Sequence, residues 1–366
     1  MLGRARLASE MVRLLLQRRE ILLHTGMEPE GRRPVCVLST ECHHPFNMAG
    51  LLGRMFNENR YVSRSLGRHR LVSLRRLQAR HASSFACFEF PVHLNRILEA
   101  VRVAVGARIF LLPWFVETVV DLTEQAEAHW STNVRRNLRR VARDGFSYSV
   151  STEAEHFRVF VNDYWRPLIG RRFGEGAADM GYQHLVDPSS PAHRFEDLHL
   201  LRVFKDDQWV SAMLVRIRQA GIPEFLEIGV LNGDATLVEA GAQAAGYWAL
   251  FEEAKKRGFD RVSLMWCFPD LAGGTFRYKL QYRPLILMSK YRLGVGIVPG
   301  TPSDAAESFL LNHPFIRLKD GRLTTAFFGN SQGEVARSKD LLRTGRLRGV
   351  ATSRIEPARS VFSRRC

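Results

Sequence analysis

Hydrophobic positions along the first third of the chain change period twice. Met11, Leu15 and Leu22 fall along one side of a helix drawn through residues 1 to about 33, which a polar turn around Pro29 and Gly31 closes. This pattern predicts a docking helix. Its basic residues also suit a segment lying on an anionic membrane surface, although Glu10 and Glu20 dilute the charge. From Val35 onward, strand-like runs at 35–38, 71–74, 85–90 and 109–115 alternate with helical spacing such as 94–105, and together they predict a small mixed lobe. At Asp121 the chain turns polar and a second lobe begins.

The second lobe opens with its most basic stretch, residues 134–145 (VRRNLRRVARDG). Val134, Leu138 and Val141 recur at helical spacing, and Arg135, Arg139 and Arg143 form a row on an adjacent face, with Gly145 as the C-terminal stop. Such a row is either a solvated face or a phosphate-binding ridge. Residues 198–204 and 209–217 read as strands joined by a tight turn at 205–207, and 225–230 as another strand. The period then switches. Residues 241–257 read as a helix with Ala245, Trp248, Ala249, Phe251 and Glu252 toward the core and Gly258 as its stop. A strand at 261–266, a short helix from Gly273 to Tyr282 ended by Pro284, and a strand at 285–291 complete the pattern. After Ser331, nine basic and three acidic residues with few large apolar ones predict disorder. The segments expected are therefore 1–34, 35–120, 121–330 and 331–366.

With 366 residues and 45% hydrophobic positions, the chain can bury the cores of two domains, which excludes wholesale disorder and fibrous repeats. No apolar run approaches the roughly 20 residues of a membrane-spanning helix, and charges at Arg13, Arg18, Arg19 and Glu20 interrupt any signal-peptide core. Five scattered cysteines do not form a disulfide framework, so a cytoplasmic location is expected. The formal charge of +16 favours anionic partners: nucleic acid, phosphorylated cofactors or acidic membranes. Cys42, His43 and His44 invite a metal or thiol reading, but neighbours in a strand point to opposite faces and a fourth ligand is missing, so no metal is expected. His193, His199 and His313 are isolated and read as structural.

The order of strands and helices in the second lobe resembles the core of GNAT acyltransferases, and particular stretches resemble their Fem-like branch. Residues 115–122 (FVETVVDL), followed by TNVRRNLRRVARDGF from Thr132, match a strand and arginine-bearing helix of that branch, with Arg135 and Arg139 at its arginine positions. GGTFRYKLQY from Gly273 matches a later segment and places Lys279 at the branch's lysine. The similarity covers roughly residues 115–292. It implies a mixed sheet flanked by helices, an α/β or α+β fold, with the first lobe a reduced relative of the second. Three family features are altered: Tyr282 runs directly into Arg283 and Pro284 where the family has a glycine, Gln243–Trp248 echoes the pyrophosphate loop with a bulky Trp248 at its end, and no helical arm for transfer RNA is visible.

Acyl transfer to an amine requires a donor held by its phosphates, a polarised carbonyl and a base. The helix starting near Gly241 offers free backbone N–H groups and small residues, so Gly241, Ala242, Gln243, Ala244 and Gly246 are candidate donor-binding positions, with close packing as the alternative reading. On the preceding strand, strict alternation puts Leu226, Ile228 and Val230 on one face, and Phe225, Glu227 and Gly229 on the other. Glu227 is the candidate base, unless it pairs with an arginine. Tyr278 and Tyr282 are candidates to protonate a leaving group, or else core residues, and Lys279 to meet an anionic substrate or a developing oxyanion. Arg135 and Arg139 are candidates for phosphate. The expected activity is N-acyl transfer from acyl-CoA or a similar thioester to an amine on a small molecule, amino sugar or cell-envelope precursor. Two rivals stay open: aminoacyl transfer from aminoacyl-tRNA of the peptidoglycan-bridge type, and nucleic-acid binding without catalysis.

Overall fold

The computed structural model describes residues 2–28, 34–40, 45–56, 61–104, 108–174, 178–179, 197–218, 221–331, 347–352 and 355–362. They divide into two compact units, each a mixed α/β arrangement of a sheet with helices. Cys42, His43, His44 and His193 lie outside the described residues.

The first unit comprises Met1–Val116, Trp266–Arg277 and Ile286–Cys366. Its sheet runs, from one edge to the other, through Ile355–Glu356, Arg322–Phe328, Phe315–Lys319, Phe110–Pro113, Leu293–Pro299, Phe85–Pro91, Pro34–Thr40, Arg18–Met27 and Tyr61–Arg70. Four sequence expectations are corrected here. The helix expected through residue 33 ends at Leu16, and Arg18–Met27 is a strand whose Ile21 and Leu23 are buried and which pairs antiparallel with Pro34–Thr40. Residues 71–74 are a helical turn that leads into the helix Leu74–Arg80, rather than a strand. Residues 293–330, drawn inside the second lobe by the expected boundary and without strands of their own, form strands that pair with Phe85–Pro91 and Phe110–Pro113. Such pairings span about 200 residues of sequence, and no local pattern can show them. The tail expected to be disordered also contributes where it is described, since Ala358 and Val361 are buried in the first unit's core. Two small apolar side chains suffice for that, and composition alone does not register them.

Inside this sheet His24 is 3% exposed, its ring nitrogens bonded to Ser63 Oγ (2.8 Å) and Ser39 Oγ (2.7 Å). Burial pushes its pKa down to about 4. The unfolded chain therefore binds the extra proton first as pH falls, so the stabilisation present above pH 6.5 is lost on the way down to about pH 4. Urea titrations at successive pH values are expected to show up to about 3 kcal/mol lost across that window, and His24→Gln to remove most of that slope. An unchanged slope in the variant would assign the acid sensitivity elsewhere.

The second unit comprises Glu117–Met265 and Tyr278–Leu285. Its sheet follows the order Leu285–Met288, Val116–Asp121, Arg261–Cys267, Glu224–Val230, Gln208–Arg216, Leu198–Lys205 and Phe146–Ser151. One face carries the helices Thr132–Arg143 and Ala242–Lys256, whose Val134, Val141, Ala245 and Ala249 pack with Val203, Met213, Val215 and Ile228. The other face carries Phe160–Trp165, a π-helical turn whose Phe160, Tyr164 and Trp165 pack with Leu200, Ala212 and Leu214. Among the described residues no helix is long and apolar enough to cross a membrane.

Candidate active site

Strands Glu224–Val230 and Arg261–Cys267 run parallel, yet only Glu224 and Ser263 are in register. Glu224–Ser263 is the single register pair between these two strands, so their ladder breaks off beyond it, and this break, the wedge, falls in the middle of the sheet. Two local features shape it. The register of Glu224–Val230 against Gln208–Arg216 slips between Phe225 and Glu227, a β-bulge. Across the wedge, Met265 takes a φ of +60°, rare for a side chain of its size, and so bends the other strand.

The bulge corrects the expected alternation. Phe225 lies 5.6 Å from Tyr247, on the same side as Ile228 and Val230, whereas Leu226 packs beside Trp165 and Tyr164. Glu227 stays on that second side, where its Oε2 accepts a hydrogen bond from Trp165 Nε1 at 2.8 Å. Gly229 faces the same way because a Cβ there would lie 2.7 Å from the Tyr164 backbone carbon. Among the described residues no arginine pairs with Glu227. Burial pushes its carboxyl up to about 7, a rise that the Trp165 hydrogen bond and the Lys279 charge only partly offset. A π-helical turn thus supplies the partner that fixes the carboxylate, and Trp165 had no signal in the sequence to mark it.

Lys279 is brought toward Glu227. It is 3% exposed, its Nζ donates to the Leu264 carbonyl, and it sits 5.8 Å from the centre of the Phe225 ring. The ammonium therefore holds one edge of the wedge while its charge acts on the carboxyl at the other. Tyr278 and Tyr282 are placed differently. Their hydroxyls bond to each other at 3.1 Å, and the rings pack with Tyr247 in an aromatic cluster that includes Trp130 and Phe251. Burial raises both phenols, that of Tyr282 well above its ordinary value, so both are protonated at neutral pH.

The helix Ala242–Lys256 starts at Gly241, whose φ of +102° is suited to glycine, with the guanidinium of Arg140 close against it. Arg140 Nη2 donates to the Glu239 carbonyl (3.4 Å), Arg172 Nη2 to Gln243 Oε1 (2.8 Å), and Arg171 Nη1 to the Gly233 carbonyl (2.9 Å). Cationic groups therefore gather where the helix dipole is already positive. Like charges placed together in this way favour a bound anion. Gln243 and Ala244 remain partly exposed at this mouth, and Ala242 is buried, its carbonyl accepting from Ser211 Oγ. Gly246 has a different role from the one expected. A Cβ there would meet Ile228 Cδ1 at 2.9 Å, so this glycine lets the helix close on the sheet, one turn away from the mouth.

The arginine helix forms as expected, with Ser131 as its N-cap, accepting from the Val134 N–H at 3.2 Å, and Val134 and Val141 buried. Arg135 and Arg139 line a groove of about 710 Å³ together with Thr132, Arg136, Asn137, Arg140 and Arg143. Arg140, which reaches Glu239 and Gly241 at the start of the other helix, belongs to a different row from the one singled out by the four-residue spacing. Neither it nor Arg172 could be found from periodicity. Among the described residues no group of side chains is arranged to hold a metal ion.

No protein-family profile matches the chain. Over 101 residues it is 28% identical to a 5-methylthioadenosine/S-adenosylhomocysteine deaminase of Nitratidesulfovibrio vulgaris (strain DP4). That match takes in 26% of this chain and 23% of the deaminase, so the chain spans under a quarter of that relative's length. Solved structures similar in outline include the C-terminal domain of a lysylphosphatidylglycerol synthetase from Agrobacterium fabrum, at 14% identity over 82% of this chain and 89% of that one, with a TM-score of 0.35. FemX is 11% identical over 75% and 83% of the two chains, with a TM-score of 0.39. A tandem GNAT protein from the clavulanic acid biosynthesis pathway is 12% identical over 74% and 72%, with a TM-score of 0.32. Likenesses this distant decide nothing about chemistry, which rests on the chain's own geometry.

Proposed function

We propose that the second unit is an N-acyltransferase of GNAT-like, Fem-like type, moving an acyl group from acyl-CoA or a similar thioester to an amine on a small molecule, amino sugar or cell-envelope precursor. The observation that carries this reading is the wedge between two parallel strands with a carboxyl of pKa about 7 at its edge. In this reading, backbone N–H groups along the two edges polarise an acyl carbonyl that enters between the strands. Glu227, ionised for about half of the time at neutral pH, accepts the proton that the amine releases as it attacks. The carbonyl carbon forms a bond to nitrogen and its bond to sulfur breaks. The departing thiolate takes a proton from the Tyr278–Tyr282 hydroxyl pair or from water. Arg140, Arg172 and the N-terminus of Ala242–Lys256 hold the donor's phosphates.

A second reading, aminoacyl transfer from aminoacyl-tRNA, draws on the groove of five arginines along Thr132–Arg143, which suits a polyanion better than a single pyrophosphate. Thermal unfolding against acetyl-CoA, longer acyl-CoAs, free CoA, and charged and uncharged transfer RNA separates the two. A donor at a hundred times its Kd raises stability by about 2.7 kcal/mol. A shift with one CoA species supports the thioester donor, and a salt-sensitive shift with transfer RNA alone supports the second reading. No shift with any of these, at concentrations up to millimolar, would sink both.

A further inference from the structure

We infer that the edge of the first unit built from the helix Leu2–Leu16 and residues 61–80 is a docking surface for an anionic lipid bilayer. Residues 61–80 contain six arginines and no acidic residue. Strand Tyr61–Arg70 ends its sheet, pairing with Arg18–Met27 on one side, and its Arg64, Arg68 and Arg70 are exposed, as are Arg75 and Arg76 in the helix that follows. Arg18 stands directly opposite Arg70 across the ladder, both exposed. Like charges directly opposed in a sheet are destabilising unless something anionic lies over them.

Charge alone would suit any polyanion. The apolar residues interleaved with it select lipid. On the helix Leu2–Leu16, Met11 and Leu14 turn inward, each 4% exposed, while Val12 and Leu16, one turn apart, stand 55% and 47% exposed on the outer side beside Arg13. That helix packs against the turn Leu71–Ser73, whose Val72 is 59% exposed, and Val62 on the edge strand is 71% exposed. Protruding aliphatic side chains among arginines are the composition of an interfacial surface: the apolar groups enter the acyl boundary and the guanidinium groups meet lipid phosphates. Single-stranded nucleic acid would call for stacking rings. The one Phe, Tyr or Trp ring in residues 2–28 and 61–80 is that of Tyr61, which packs against His24 and Phe56.

Sedimentation of the full chain with phosphatidylcholine vesicles, plain or containing roughly one third phosphatidylglycerol, at about 0.1 M salt tests this. The chain is expected to pellet with the mixed vesicles and not with the plain ones. Val12→Ser with Leu16→Ser should weaken binding at least about tenfold, and Arg64→Gln with Arg68→Gln and Arg75→Gln about a hundredfold. Because all five positions are exposed, melting temperatures should stay unchanged. Failure to pellet with mixed vesicles overturns the assignment. So does binding that the Val12 and Leu16 replacements leave intact while the arginine replacements abolish vesicle and RNA binding alike, since that marks a general polyanion surface. Glu227→Gln should bind vesicles like the parent, which keeps this test separate from that of the proposed activity.

Discussion

Glu227→Gln should lower kcat by about 10²–10³, the range of a positioned general base, which corresponds to about 3–4 kcal/mol in the barrier. The substitution keeps the shape of the side chain and an oxygen able to accept from Trp165 Nε1, so melting temperature and donor binding should change little. The diagnostic is the pH profile. In the parent, burial holds the carboxyl at about 7, so kcat should rise with pH through that value as the base ionises. In the variant this limb should vanish, leaving a low and nearly flat rate. Rates measured from pH 5 to 9 with a saturating donor decide the matter. A variant that retains the limb would show that another group is the base.

Asp270→Asn is expected to have the largest effect on stability. Asp270 Oδ2 accepts from Arg54 Nε at 2.8 Å and meets His313 Nδ1 at 3.2 Å, its side chain only 4% exposed. Burial alone would raise its carboxyl, but His313 and Arg54 together hold it below the usual aspartate range. Its stabilisation is therefore complete above the ordinary aspartate pKa and is lost as pH falls through the lowered one. Removing the charge leaves a half-buried guanidinium facing a neutral amide, a loss of about 3 kcal/mol. In a unit of this size that lowers the melting temperature by roughly 6–12 °C. Calorimetry at pH 7 measures it, and a drop of under about 2 °C would mean that solvent already screens the cluster.

Much of the second unit could be read directly from the chain because its signals are local. Val134 and Val141 fix one face of the arginine helix, Gly258 stops another helix, and a tight turn with positive φ at Asp206 and Asp207 joins two strands, as their sequence suggests. The candidate base was legible for the same reason, as a carboxylate in an otherwise apolar strand. Its surroundings were not. A one-residue bulge between Phe225 and Glu227 moves Phe225 to the other face, and nothing in a period-two pattern marks where a bulge falls. Trp165, Arg140 and Arg172 reach the site through tertiary packing, which periodicity does not encode. In the first unit the strands at 85–90 and 109–115 were legible as local runs, but their partners Leu293–Pro299 and Phe315–Lys319 lie about 200 residues further along the chain, a distance that no local pattern spans.

That connectivity bears on how the chain is made. Strand Phe110–Pro113 is flanked by Leu293–Pro299 and Phe315–Lys319. Both emerge from the ribosome only after the whole of Glu117–Met265 has been synthesised. The second unit's strands and helices come almost entirely from one continuous run, so it can condense first, while the first unit waits with the middle of its sheet unfilled. Its loop-closure entropy must be met before its long-range pairings contribute, which makes it the slower folder of the two. A nascent chain stalled before residue 290 would thus carry a nearly complete second unit tethered to an open sheet edge, a species that chaperones would be expected to hold.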